Sequence, residues 1–312
     1  MKNVFLLLFL LSATFAHGQD SVSYKKDSFF KTSGKVLKNS MFAVPRDFAF
    51  MGKEVGQDWA KTGWYTAGIL NLILTDKITT KFLHEHIEPN VNYSLPNISL
   101  VKNTDWLSGN DAYMSYPIIG LYLGSLITNN EKGQYVALNA FKAVTHSIII
   151  SQLTLKTIFG RNRPNRPLNT TAQNVKPWTT DNFDFFNKRD AYLFSDIEGS
   201  SFPSLHATAY FAIAKVFQME YDNYWIPYGL MSIVFLADVK GHNHWVSDMA
   251  VGGIIGTIIG RSIVKSSWKI RYGTPERKKK NYSINFMPQF SPGMGNAPGG
   301  LYFSLRLNRI NN

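Results

Sequence analysis

The chain contains no cysteine. Thiol nucleophiles, thiolate zinc sites, iron–sulfur clusters and disulfides all need that side chain, so none of them belongs to this protein. Acidic residues are also scarce, 21 Asp+Glu against 33 Lys+Arg, which leaves a formal charge of +12. Such a surplus suits an anionic partner, whether a phosphate ester, a lipid headgroup or a nucleic acid, and selects none of them by itself. Only 17% of the residues are charged, while 45% are hydrophobic and 14% aromatic, the opposite of a disordered composition. A length of 312 residues suffices to bury a core without metal or disulfide staples.

The two ends of the chain differ from its middle. Met1 to Gly18 has Lys2, an apolar run from Val4 to Leu11, and the small residues Ala16 and Gly18. This is the pattern of a signal peptide removed after Gly18, which makes the rest an exported chain with an N-terminal extension over residues 19–61. Near the other end, Arg261, Lys265, Lys269, Arg271, Arg277, Lys278, Lys279 and Lys280 face only Glu276. Residues 265–280 therefore read as a solvated basic linker, with contact to an anionic membrane surface as the functional alternative. Beyond it, Tyr282, Ile284 and Phe286 alternate, as do Leu301, Phe303, Leu305 and Leu307, around a Pro/Gly-rich loop. That spacing predicts a β-hairpin within residues 281–312.

Between residues 62 and 264 the chain repeats apolar segments of helix length, at 62–75, 112–128, 134–155, 203–218, 223–237 and 249–264. Few strand signals accompany them, and the expectation is an all-α bundle of about six core helices. Spanning a bilayer takes about 20 mostly apolar residues. Most of these segments are shorter, or are interrupted by Lys142, His146, Lys215 or Arg261, and the mean hydropathy is −0.13. An exported N-terminus followed by three spans would also leave Lys156 on the cytoplasmic side. A periplasmic or membrane-associated bundle, with its site on the outer side, is therefore expected in preference to six spans.

Three motifs follow one another through this bundle. In the first, Lys156 ends an apolar helix, Gly160 makes a turn, and Arg161, Arg163 and Pro164 follow. Alone this is a basic helix end, but such cations can converge on one anion, Arg163 as a planar fork and Lys156 as a point charge. The second runs from Ser201 through Phe202 and Pro203 to Ser204, Leu205 and His206. A helix that opens here puts Ser204 and His206 in its first turn, where free N–H groups attract an anion. In the third, His244 and Asp248 lie four apart, so the carboxylate can orient one ring nitrogen and leave the other as nucleophile or base, whereas His242 has Val246 at that offset.

Lys-x6-Arg-Pro, Pro-Ser-x-His and His-x3-Asp, in that order, resemble the type 2 phosphatidic acid phosphatase (PAP2) superfamily. That superfamily includes bacterial class A acid phosphatases, membrane lipid phosphatases and vanadium haloperoxidases. The resemblance covers roughly residues 133–264 and implies a helical, metal-independent phosphohydrolase that needs no cofactor. It assigns His244 as the nucleophile on phosphorus, Asp248 as its orienting carboxylate and His206 as the acid for the leaving oxygen. Lys156, Arg163 and Ser204 match residues that hold the phosphoryl oxygens. The substrate would be a phosphorylated lipid or small phosphate ester, not a nucleic acid.

Two positions depart from the family pattern. Leu205 stands where glycine is usual, and Ala237-Asp238 replaces the Ser-Arg pair six residues before the histidine. An arginine on phosphate contributes about 1.5–3 kcal/mol, so its place must be filled by another cation. Lys240, His242 and Arg161 are the candidates to fill it. The same loss motivates a second expectation, a non-enzymatic protein that binds phosphate or lipid headgroups in a decayed site. A metal hydrolase built from His206, His242, His244 and Asp248 is a third, opposed by Lys156 and Arg163 beside it.

Overall fold

A computed structural model describes residues 28–168, 178–187, 191, 198–237 and 239–276, and the backbone alone of Lys240, His242 and residues 282–291 and 300–309. The stretch read as a signal peptide, Asp238 and Arg277 to Lys280 lie outside the described residues. The chain divides into two units, Met1–Pro275 and Glu276–Asn312.

The first unit is helical, and each of the six apolar segments falls in a helix. They are α3 (Trp59–Phe82), α4 (Ala112–Ile127), α5 (Glu131–Ser147), α6 (Leu205–Tyr221), α7 (Trp225–Ala237) and α8 (Val246–Tyr272). Helix α5 runs on through a π-helical stretch, Ile148–Leu155, into a last turn, Lys156–Phe159. Two further helices, α1 (Phe29–Phe42) and α2 (Val44–Gly56), precede α3 in what the sequence presents as an extension. In the second unit, β1 (Tyr282–Ser291) pairs antiparallel with β2 (Gly300–Arg309), from Tyr282 opposite Arg309 to Ser291 opposite Gly300.

At the centre α8 crosses α6 at backbone distance. A Cβ on Gly252, Gly256 or Gly260 would come within 2.6, 2.2 or 2.3 Å of the carbonyl oxygens of Ser204, Thr208 or Ala212. Those three glycines, four apart on one face of α8, let the start of α6 lie directly on the start of α8. Around this contact Ala209, Ile213 and Val216 of α6 pack with Ile259 and Ile263 of α8 and Val136 and Ala140 of α5. The second and third motifs sit at the two adjoining helix starts, so core packing brings them together.

Two of the groups that interrupt the apolar segments, Lys142 and His146, point inward. Lys142 is 7% exposed and donates to the buried Asp47 of α2 at 2.8 Å, and the His146 ring stacks on Phe48 at 4.7 Å. Their inward placement leaves Phe141, Ile149 and Ile158 of the same helical run on the outside. Helix α3 goes further: of its 24 residues only Asp76 and Thr80 are buried, and it exposes Trp64 at 79%, Leu74 at 65% and Ile78 at 74%. Among the described residues one helix, Val246–Tyr272, is long and apolar enough to cross a membrane, with half of its apolar window buried inside the protein.

The basic stretch departs from expectation. Residues 265–272 belong to α8 and are no linker, because Arg261 and Lys265 pair with Glu54, and Arg271 pairs with Glu220 and lies over the Tyr135 ring at 4.9 Å. Carboxylates on α2 and α6 thus hold the end of the helix down.

Candidate active site

Two backbone hydrogen bonds and one from an indole close the three motifs into a ring. The Ser201 N–H donates to the Arg161 carbonyl at 2.9 Å, joining the second motif to the first. The Ser204 N–H donates to the Asp248 carbonyl at 3.0 Å, joining the second to the third. The Trp245 indole N–H donates to the Asn162 carbonyl at 3.0 Å and completes the circuit. Gly160 makes this possible at the turn inside the first motif. With φ at 44° it ends the helix in the left-handed conformation, and the Asn187 carbonyl oxygen would lie 2.0 Å from a Cβ there.

The expected site residues other than Lys240 can be located on this ring. Lys156 opens the last helical turn and is 3% exposed, and Arg163 donates from Nε to Ser200 Oγ at 3.0 Å. Ser204 is the N-cap of α6, its Oγ accepting the Ala207 N–H at 3.4 Å. The first-turn N–H groups of α6 consequently lie beside it, as an anion site requires. His206 follows two residues into the helix. Its side chain is 29% exposed, with Nε2 3.4 Å from Asp111 Oδ1 and the Trp106 ring stacked at 6.0 Å. Tyr210, one turn on, donates its hydroxyl to the same Asp111 oxygen at 3.0 Å.

His244 lies just before α8, and Asp248 in its first turn. Asp248 Oδ2 is 3.6 Å from His244 Nδ1, longer than a direct hydrogen bond. The Ser201 hydroxyl fills the gap, 3.4 Å from Nδ1 and donating to Oδ2, which also accepts the Trp245 N–H at 3.1 Å. Burial pushes the His244 imidazole down to about 4; Asp248 resists that shift, and the positive charges of Arg163 and Lys156 add to it. Those two cations therefore act on the same ring. Burial would raise the Asp248 carboxyl, but Arg161, followed by His244 and Ser201, holds it below the usual carboxylate range.

Arg161 requires a correction. It was one of the cations considered for the phosphate in place of the missing arginine, yet its side chain is fully buried and turned toward protein carboxylates. Nη1 donates to Asp248 Oδ1 at 2.6 Å and to Ser247 Oγ at 2.8 Å. Nη2 donates to Asp76 Oδ2 at 2.8 Å and to the Asn182 carbonyl at 2.6 Å. The guanidinium lies between the rings of Phe185 at 4.6 Å and Trp245 at 4.9 Å. The backbones of Lys240 and His242 form a short helix, Val239–His242, immediately before His244.

Four contributors went unassigned in the sequence. Ser201 carried a signal, two residues before the Pro-Ser-x-His core and adjoining it. Asp76, Asp111 and the Asn182 carbonyl carried none, because each comes from a distant segment. Among the described residues no three His, Asp or Glu side chains converge as a metal site would need. His84 is largely covered, with Nε2 3.9 Å from a Glu88 that pairs with Arg166.

Comparison with known families settles the affiliation of this ring. Residues 135–272 match the model of the PAP2 superfamily. They form a PAP2 superfamily domain. Members of that superfamily are in general phosphatases, and the match takes in all three motifs while leaving α1 to α4 outside it. Comparison with curated proteins and with solved structures found no significant match.

Proposed function

We propose that the protein is an exported, membrane-associated phosphohydrolase that acts on lipid phosphates, or on other phosphomonoesters or diphosphates, without a metal. The observation that carries the reading is the convergence of Lys156, Arg163, Asp248 and Ser201 on a buried His244 inside a PAP2 domain.

His244 Nδ1 faces Ser201 and Asp248, which leaves Nε2 to attack phosphorus. A nitrogen–phosphorus bond forms as the bond to the leaving oxygen breaks, and His206 delivers a proton to that oxygen. Water, deprotonated by the same His206, then attacks the phosphohistidine and releases phosphate. Lys156, Arg163, Ser204 and the first-turn N–H groups of α6 hold the phosphoryl oxygens, with Lys240 and His242 the remaining candidates for the lost arginine's place. Held neutral by its surroundings, His244 is in the form that attack requires. The choice of lipid rests on the outside of the molecule, where Trp64, Leu74 and Ile78 stand exposed on α3.

The test is phosphate release by the mature protein, with EDTA present, from phosphatidate, a prenyl diphosphate and a soluble ester. We expect release from at least one lipid substrate, none from His244→Ala, and an unchanged circular dichroism spectrum for that variant. Activity of His244→Ala near that of the unmodified chain would overturn the assignment. Phosphate binding without release by the unmodified chain would establish the decayed site.

A further inference from the structure

The PAP2 match begins at residue 135, yet one of the two carboxylates that hold Arg161 comes from well before it. Asp76 lies on α3, and its side chain is fully buried on a helix that otherwise exposes most of its surface. Its two oxygens do separate work. Oδ1 accepts the Ser247 N–H at 2.9 Å, one of the N–H groups that the start of α8 leaves without an intrahelical acceptor. Oδ2 accepts from Arg161 Nη2 at 2.8 Å and from the Ser247 hydroxyl. Arg161 then reaches Asp248 Oδ1 through its other nitrogen at 2.6 Å.

We infer that Asp76 is a positioning residue for the His244 centre, fixing the Arg161 guanidinium, and through it the plane of Asp248, from outside the matched domain. Beyond the orientation of His244, the inference uses the reading proposed above only for what that orientation accomplishes. The physical basis is the geometry of a planar fork. A guanidinium held by one carboxylate still rotates about that contact, whereas opposite nitrogens bound to two carboxylates, with aromatic rings beside it, fix its plane. With Oδ1 of Asp248 pinned by Arg161, Oδ2 has one direction left, toward Ser201 and His244. Charge acts in the same sense. Two carboxylates share one guanidinium, so the cluster retains a negative charge next to the imidazole as that ring becomes cationic on phosphorylation. The partners of the Asp76 carboxylate are Arg161 and Ser247, not His244, so it acts through those two residues.

The decisive experiment pairs kinetics with the state of the His244 ring. Asp76→Asn keeps the shape and loses the charge. It should lower kcat about 10- to 100-fold with KM changed by less than about twofold, since the interaction is one that the reacting state uses. In an Asp248→Asn background the same substitution should cost nothing more, because its route to His244 is already cut. Thr80→Val is the control for a merely structural role. Thr80 Oγ accepts the Val246 N–H at 3.2 Å, one turn along α3 from Asp76, and lies outside the Arg161 chain. It should lower the melting temperature without lowering kcat.

Nitrogen NMR of the His244 ring, with no substrate present, should show Nδ1 protonated in the unmodified chain and a mixture of tautomers in Asp76→Asn. That arm decides the inference even if no substrate is hydrolysed, an outcome that would sink the proposed activity alone. Ser247→Ala removes only the shared hydroxyl. It should move the ring and kcat a few-fold in the same direction, and it keeps the test decisive if Asp76→Asn does not fold. Unchanged tautomers in both Asp76→Asn and Ser247→Ala, or additive losses with Asp248→Asn, would overturn the inference.

Discussion

The His244 side chain is 3% exposed and boxed in by Ser201, Asp248 and, behind them, Arg161 with Asp76, whereas the His206 side chain is 29% exposed and meets Asp111 at 3.4 Å beside Trp106. Both rings sit at helix starts a backbone hydrogen bond apart, so the contrast is not one of fold but of lining. In the proposed mechanism the two have opposite needs. A nucleophile must be neutral and fixed in angle, which a dry, fully partnered pocket supplies; an acid that later serves as a base must exchange protons with water and with different leaving groups. The lining of each half matches one need. Each half also draws a carboxylate from outside the matched domain, Asp76 behind Arg161 and Asp111 beside His206. The helices before residue 135 thus contribute to both sides of the site.

The comparison breaks most severely at Arg161. Replacing it with Gln leaves two buried carboxylates without their cation, a loss on the scale of about 3–5 kcal/mol. Expected outcomes are a fall in melting temperature, read by calorimetry, and loss of phosphate release, with no selectivity among leaving groups because the nucleophile's half is the one damaged. An Arg161→Gln chain that kept its melting temperature would show that the dry half does not depend on this ion pair.

His206→Ala damages the other half. General acid catalysis is worth about 10²- to 10⁴-fold, and it matters only where the leaving oxygen is a poor one. Alkyl and lipid phosphates should therefore suffer a loss on that scale, while an aryl phosphate such as nitrophenyl phosphate loses little. Asp111→Asn should follow the same selectivity at smaller size. Equal losses on both substrate classes would assign His206 a structural place and erase the proposed division of labour.

That division was half visible in the amino-acid sequence. The apolar periodicity marked six helices, five of which carry the core while α3 lies against it through Asp76 and Thr80, and the spacing of Lys156, Arg163, Ser204, His206, His244 and Asp248 marked residues of the adjoining helix ends. Helices α1 and α2 escaped because their buried faces are largely polar: α1 turns Thr32 and Ser40 inward beside Val36, and α2 turns Asp47 inward beside Met51. Asp76 looked like one charge in an otherwise exposed helix, since a linear pattern does not reveal which side chain meets a guanidinium 85 residues away. Arg161 stands among the candidate phosphate cations in the sequence for the same reason. Sequence displays a cation beside a motif, but only packing decides whether it faces substrate or carboxylate. The inward Lys142 and His146 mislead in the other direction, weakening on paper an apolar exterior that the folded helix keeps.

The smallest effect we expect is one of pH, and it sharpens the idea that the nucleophile's half is dry. Burial pushes His244 to about 4, and likewise His84 and His146, each with help from a neighbouring cation. An unfolded histidine takes up its proton near 6.5. Between about pH 6.5 and pH 4 the unfolded chain therefore binds more protons than the folded one, and stability falls as the pH falls through that window. Above it, the contribution of these three rings is constant. Melting temperature should decline from pH 7 to pH 4.5, and His146→Gln, which removes one titrating ring, should flatten that decline. For catalysis the same shift works in favour of the reaction, since His244 stays neutral well below the usual histidine range. The acid limb of kcat/KM, measured on an aryl phosphate so that His206 contributes little, should then lie near pH 4 and not near 6.5. A limb near 6.5 together with a flat melting profile would mean that water reaches His244, and the contrast between the two histidines would collapse.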